Sequence, residues 1–247
     1  DVDLKLKGDA REILEELNRR LPQHTHADWM ANIAAWKADY PLSQTASDPN
    51  GVTPQEVLET LSDLTNDDAI ICTDVGQHQM WAAQFYRFRH PRQFISSGGL
   101  GTMGFGLGAA LGAQVANPDA RVINIAGDGS FHMNCNELAT AVAYNIPVME
   151  LVFNNSVLGM VRQWQKLFYD NRFSQTDLDK NTDFVKLAEA FGAKAFVIQT
   201  KADIRPVLEQ ALALREPVLI DCRIDKDVNV LPMVPAGASV ESPILEM

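Results

Sequence analysis

From Thr53 onward the chain alternates short apolar runs with longer stretches whose apolar residues recur every three or four positions. The runs lie at Ala69–Thr73, Gln93–Ser96, Arg121–Ala126, Val148–Phe153, Ala195–Ile198 and Val218–Cys222. They are short and rich in β-branched residues, as expected of strands buried on both faces. Helical stretches separate most of them. This alternation predicts an α/β fold with a mainly parallel sheet and helices on both faces. The first helix has a clear start: Thr53 caps, Pro54 takes the first turn and Glu56 completes a capping box. Val57, Leu58, Leu61 and Leu64 then share one face.

The flanks follow other patterns. Val2, Leu4 and Leu6 alternate with charged residues over 1–7, the period of an edge strand. Asp9 is placed to cap a helix with Glu12 three positions on, and Ile13, Leu14, Leu17 and Leu21 form its apolar face. Residues 1–21 thus read as the end of a preceding domain. Residues 22–52 carry Pro22, Pro41, Pro49 and Asn50-Gly51 around Trp29 and Trp36, which predicts a linker with one helix. The main domain spans 53–224. Pro232, Pro235 and Pro243 predict that 225–247 is an extended tail wrapped over it.

Composition narrows the function. The chain is 46% hydrophobic and 21% charged, ordinary globular usage, and no apolar run approaches the ~18–20 residues of a membrane span. The first residues lack signal-peptide anatomy, so the chain reads as cytoplasmic or organellar. Net charge is −11, and no Lys/Arg cluster offers a footprint for nucleic acid. Cys72, Cys135 and Cys222 are odd in number and far apart, which predicts reduced core thiols rather than a zinc site or disulfides.

The chemistry concentrates in one βαβ unit. The run Arg121–Ala126 ends in Gly127-Asp128-Gly129-Ser130, residues 136–145 read as a helix, and the next strand ends in Asn154-Asn155. The spacing places Asp128 and Asn155 at the C-terminal ends of two parallel strands, where open α/β sheets bind ligands. A carboxylate, an amide oxygen and a nearby backbone carbonyl are three hard ligands that suit Mg²⁺ bridging a diphosphate. Gly129 removes a β-carbon from the diphosphate's path, and Ser130 with the following helix start offers N–H donors. Either tetrapeptide or asparagine pair alone is more often a plain turn. Both together at the ends of one unit point to a binding site.

That pairing is similar to the motif of the thiamine-diphosphate enzyme superfamily. The neighbouring text at Val75–Tyr86, Ser97–Leu107, Met133–Val142, Leu158–Gln165 and Asn229–Ser239 resembles acetohydroxyacid (acetolactate) synthase catalytic subunits. The resemblance covers nearly the whole chain and implies the thiamine-diphosphate-binding fold, specifically its diphosphate-binding domain. It implies Mg²⁺ on Asp128, the Asn155 side chain and the Val157 main-chain oxygen. Gln77, His78, Gly101, Thr102, Met103, Gly129, Ser130, Leu158, Gly159 and Met160 would join these as cofactor-binding residues, with Met103 beneath the bent cofactor. Read alone, His78 is more often a capping or core histidine and Met103 core filler.

Val157, Met160, Val161, Trp164, Leu167 and Phe168 recur at helical spacing and predict one apolar stripe, ordinarily core or subunit interface. By resemblance Met160 and Trp164 belong to the substrate pocket, and Trp164 favours 2-ketobutyrate over pyruvate as second substrate. The implied activity is decarboxylation of pyruvate and carboligation to pyruvate or 2-ketobutyrate in branched-chain amino-acid biosynthesis. The implied full-length enzyme also holds FAD, in a middle domain of which 1–21 would be the end. It works as a homo-oligomer whose pyrimidine-binding domain, carrying the catalytic glutamate, reaches across a homodimer interface. It leaves room for a regulatory small subunit. That glutamate is expected upstream of residue 1, so no catalytic acid or base is assigned here and this stretch alone is expected to be inactive. The family usually has proline where this chain has Gly108, which would loosen a helix start.

Two other classes compete. Gly99, Gly101 and Gly104 satisfy the G-x-G-x-x-G fingerprint of an NAD-dependent Rossmann oxidoreductase, with Asp128 ending the next strand. Against it, the preceding run is short and polar-ended, and Asp128 stands between two glycines. A non-catalytic assembly module that kept only the fold is the third class.

Overall fold

The computed structural model describes residues 2–44, 48–178 and 182–245. Contacts divide the chain into two compact units, Asp1–Pro41 and Leu42–Met247. The first holds α1 (Ala10–Arg20) and α2 (Ala27–Asp39). Asp9 caps α1 through bonds from the Arg11 and Glu12 amides at 2.9 and 3.3 Å. The edge strand expected at the start is not formed: residues 2–7 have no strand, and Val2, Leu4 and Leu6 are exposed. A strand persists only as a pairing, and no described segment pairs with this one.

The second unit contains α3 (Pro54–Leu64), β1 (Ile70–Thr73), α4 (Gln77–Phe85), β2 (Phe94–Ser96), α5 (Gly106–Ala116) and β3 (Val122–Gly127). A single turn, α6 (Asp128–Phe131), α7 (Leu138–Ala143), β4 (Met149–Asn154) and α8 (Gly159–Phe168) follow. The domain closes with α9 (Phe184–Phe191), β5 (Lys194–Ile198), α10 (Lys201–Ala213) and β6 (Val218–Arg223). Every strand falls within one residue of its sequence reading. Thr53 and Glu56 form the expected capping box on α3.

The strands form one parallel sheet in the order β2-β1-β3-β4-β6-β5. Side chains alternate into two cores. Ile71, Ile123, Ile125, Met149, Leu151 and Ile220 face α3, α4 and α10, while Cys72, Val122, Ala126, Val152 and Leu219 face α5, α7 and α9. From β1 the chain first turns to β2 on one side, and β3 is then laid on the other. The strand order reverses between β1 and β3, and that switch point opens a crevice at their C-terminal ends. Cys72 and Cys222 are buried thiols as expected, whereas Cys135 is only half-buried. No helix of the described residues crosses a membrane by length and apolarity. Among the described residues, the tail from Asp225 forms no helix and one isolated bridge, Met233 to Ile244.

Candidate active site at the switch point

A cleft opens where β1, β3 and β4 end. Its walls are Val75–His78 after β1, Gly127–Ser130 after β3, Asn155 and Val157–Val161 after β4, with Trp81, Met103 and Phe153. Three separate loops meet there because three neighbouring parallel strands stop together.

Asp128 is 4% exposed, and burial pushes its carboxyl up to about 6, although the Gly129 and Ser156 amides pull it down. No cationic side chain pairs with it among the described residues. A desolvated carboxylate without a counter-charge suits a bound cation. Asn154 donates to Asp221 at 2.9 Å, so only the second asparagine of the pair lines the cleft. Asn155 Oδ1 accepts the Val157 amide at 3.2 Å, and Ser156 between them is left-handed at φ 56°. Among the described residues nothing donates to the Val157 carbonyl. No group of three His, Cys, Asp or Glu gathers among the described residues, so a metal here would need amide and carbonyl oxygens beside Asp128.

Gly76 and Gly127 bracket His78. A β-carbon on either would lie 2.8 Å from its imidazole. The ring is 5% exposed, and burial holds it neutral at about 4, with Asp74 pulling the other way. Its Nε2, the Gln77 Oε1 and the Trp81 Nε1 are buried without partners, three polar atoms on residues that line one cleft. Buried polar atoms are nearly always satisfied, so this concentration marks a place for a polar ligand. The Gln77 amide nitrogen is already committed, to Gln163 at 2.8 Å and the Val228 carbonyl at 3.1 Å.

Other expectations need adjustment. Gly129 leaves room for side chains: its β-carbon would strike Leu158 at 2.7 Å and Leu178 at 3.1 Å. The Ser130 hydroxyl donates to Asp74, so only backbone donors of α6 remain for an anion. Gly101 and Thr102 are exposed and lie outside the cleft walls, while Met103 lines them. Met160 lines both the cleft and a neighbouring groove with Val161, Trp164, Gln165, Tyr169 and Arg172. The apolar stripe is split: Val157 is buried and Met160 packs against the core, but its outer members on α8 are not core. Val161, Trp164 and Phe168 are 41–49% exposed, and the buried residues of that helix are Arg162 and Gln163. Polar partners explain the inversion: Arg162 meets Asp227 at 3.0 Å and covers the Phe173 ring, while Gln163 exchanges two 2.9 Å bonds with the Val230 backbone.

The sequence reading missed Asp74, Trp81 and Gln163. Asp74 had a usable signal, since it directly follows β1 as Asp128 directly follows β3. Trp81 and Gln163 had none, because their orientation depends on tertiary packing.

Residues 74–222 match the family model for the thiamine pyrophosphate enzyme, C-terminal TPP binding domain. The chain belongs to the thiamine pyrophosphate enzyme family. It is 44% identical over 97% of its length to the mitochondrial acetolactate synthase catalytic subunit of Saccharomyces cerevisiae, of which it covers 36%. It is 42% identical, over 97% of its length and 43% of the relative, to a probable acetolactate synthase large subunit of Methanococcus aeolicus. A thiamine diphosphate-dependent 4-hydroxybenzoylformate decarboxylase of Rhodococcus jostii RHA1 superposes with a TM-score of 0.66 at 30% identity, over 74% of this chain and 34% of that one. The chain spans 36–43% of the length of these curated relatives. The dehydrogenase reading is not favoured by the family match, and the Gly99–Gly104 loop follows β2, an edge strand, rather than either strand that flanks the switch point.

Proposed function

We propose that the protein is the catalytic subunit of an acetolactate synthase, decarboxylating pyruvate and joining the product to pyruvate or 2-ketobutyrate. The observation that carries this is the desolvated Asp128 at the switch point, facing Asn155 within a domain matched across residues 74–222. The curated relatives supply the substrate class.

The residues fit the cofactor. Three buried polar atoms without partners, and a carboxylate with no cationic side chain beside it, belong to residues that line one cleft at the carboxyl ends of the strands. Thiamine diphosphate, when bound, supplies the carbanion stabilisation that 2-keto acid decarboxylation needs. Asp128, the Asn155 side chain and the Val157 carbonyl would hold Mg²⁺ beside its diphosphate. Gln77 and His78 would contact the diphosphate, Met103 would support the rings, and the backbone from Leu158 to Met160 would lie along the cofactor. Trp164 stands on the exposed face of α8, against Phe168 at 5.4 Å, where a flat apolar surface can favour one extra methylene by ~1–3 kcal/mol.

The other half of the pocket, with the group that handles the cofactor's proton, belongs in this reading to a pyrimidine-binding domain contributed across a homodimer. Residues 1–21 are then the end of an FAD-type middle domain, 22–52 a linker and 225–247 the tail. Product analysis tests the reading. The intact protein incubated with pyruvate, thiamine diphosphate and Mg²⁺ should form acetolactate, and 2-ketobutyrate should compete as acceptor. Trp164→Leu should lower that preference by about tenfold. Formation of acetaldehyde alone would contradict carboligation.

A further inference from the structure

The glycine loop that carries Met103 has few attachments. Among the described residues, hydrogen bonds from residues 97–103 return only to residues 96 and 97: Gly98 to the Ser96 carbonyl, Gly101 to the Ser97 carbonyl, Thr102 to Ser97 Oγ. Leu100 at its tip is 95% exposed. The loop is fastened at the next residue. The Gly104 amide donates to Asp74 Oδ1 at 2.7 Å, and its carbonyl accepts from Asn134 Nδ2 at 3.2 Å. Both backbone groups of one glycine are thus held by side chains from two other parts of the chain.

Asp74 does more than hold the loop. The same Oδ1 accepts the Ser130 hydroxyl at 2.5 Å and the Val75 amide at 3.0 Å. Three donors converge on one oxygen that is buried with its residue 1% exposed. One donor comes from the Met103 loop, one from the Asp128 turn and one from the end of β1. Gly104 fits because it is left-handed at φ 86° and any β-carbon would lie 3.1 Å from Met133 Cβ. Asp74 itself is absent from the cleft wall.

We infer that Asp74 is a positioning residue which, with Asn134, clamps Gly104 and so fixes where Met103 stands relative to Asp128. This rests on the reading of the cleft as a thiamine-diphosphate site. Asp74 and Asp128 occupy equivalent places after β1 and β3; one carboxylate faces the ligand and the other locks the loops around it.

The test uses the intact protein, with thiamine diphosphate titrated by calorimetry in excess Mg²⁺ and hydrogen exchange read on residues 97–105. Asp74→Ala should weaken binding about tenfold and speed exchange in that loop, with sheet segments unchanged. Asp74→Asn keeps an acceptor oxygen and should restore binding to within about threefold of the parent. Asn134→Ala, which removes only the bond to the Gly104 carbonyl, should speed loop exchange as well. The inference is overturned if Asp74→Ala binds and exchanges like the parent, or if the Asn variant is as impaired as Ala. Should Asp74→Ala fail to fold, unchanged loop exchange in Asn134→Ala overturns it. If the parent itself binds no thiamine diphosphate, the cofactor reading fails, while loop exchange still decides the clamp.

Discussion

Gln77 donates its side-chain amide to Gln163 Oε1 at 2.8 Å, and through that bond α4 and α8 hold opposite lips of the cleft together. Gln163 in turn pairs with the Val230 backbone, which draws the tail onto the same wall. A polar chain from α4 through α8 to the tail therefore sets the width of the site.

Gly159 leaves no room for a side chain. A β-carbon there would lie 2.0 Å from Gln77 Oε1 and 3.0 Å from Asn155 Nδ2. Gly159→Ala must push Gln77 aside and strand buried amides, at a cost of about 1–3 kcal/mol. Urea denaturation should show that loss, and calorimetry should show thiamine-diphosphate binding weakened at least about tenfold. Gly112, where a β-carbon meets nothing within 4 Å, is the control and should tolerate alanine.

His78 makes the fold acid-sensitive. Its folded pKa of about 4 lies below the ordinary 6.5, so the unfolded chain binds the proton more readily. Its stabilising contribution is complete above pH 6.5 and is lost as pH falls toward 4, by roughly 3 kcal/mol for a ring so buried. Urea midpoints between pH 7 and 4.5 should fall in the parent and flatten in His78→Gln. Equal slopes would remove His78 as the cause.

Glu150 works in the opposite direction. It is wholly buried in β4, where burial raises its carboxyl well above 4.5 against two 2.9 Å bonds from Asn124. The unfolded chain releases this proton as pH rises past 4.5 while the folded carboxyl keeps it, so the contribution to stability is lost progressively as pH rises. Asn124 Oδ1 is unpartnered and can accept from an amide. Glu150→Gln should therefore match or exceed the parent's thermal midpoint at pH 8, by a margin that shrinks toward pH 5. Glu150→Ala should lose about 2–4 kcal/mol through the cavity it leaves.

Arg162 is the buried cation of α8, held between Asp227 and Asp177 and over the Phe173 ring at 4.0 Å. Arg162→Met should leave those carboxylates unpaired and loosen the segments at 173–178 and 225–230, seen as faster proteolysis there. Trp164→Leu, on the exposed face of the same helix, should shift stability by less than about 0.5 kcal/mol.

How much the sequence discloses varies with the kind of constraint. All six strands were readable because each is a short, mostly apolar run set between helical stretches, even where Asn124, Glu150 and Asp221 interrupt the central ones. The Asp128 and Asn155 pair was readable because strand ends and crossover length fix its place. The α8 stripe left its direction open between core, subunit interface and pocket, because helical periodicity shows that two faces differ but not which one faces inward; Arg162 and Gln163 turn inward to partners some 65 residues away. The initial strand misled for a related reason, since alternation cannot supply a neighbour to pair with. Asp74 escaped notice because its three donors come from segments that meet only in the fold.

The central claim is that Asp128 anchors Mg²⁺ and through it a diphosphate. Thiamine diphosphate should be titrated by calorimetry into the intact protein with and without Mg²⁺, and again into Asp128→Ala. The parent should bind at least about tenfold more tightly with Mg²⁺ than without it, and the variant should show no metal dependence. Tight binding by Asp128→Ala with the parent's Mg²⁺ dependence would contradict the assignment.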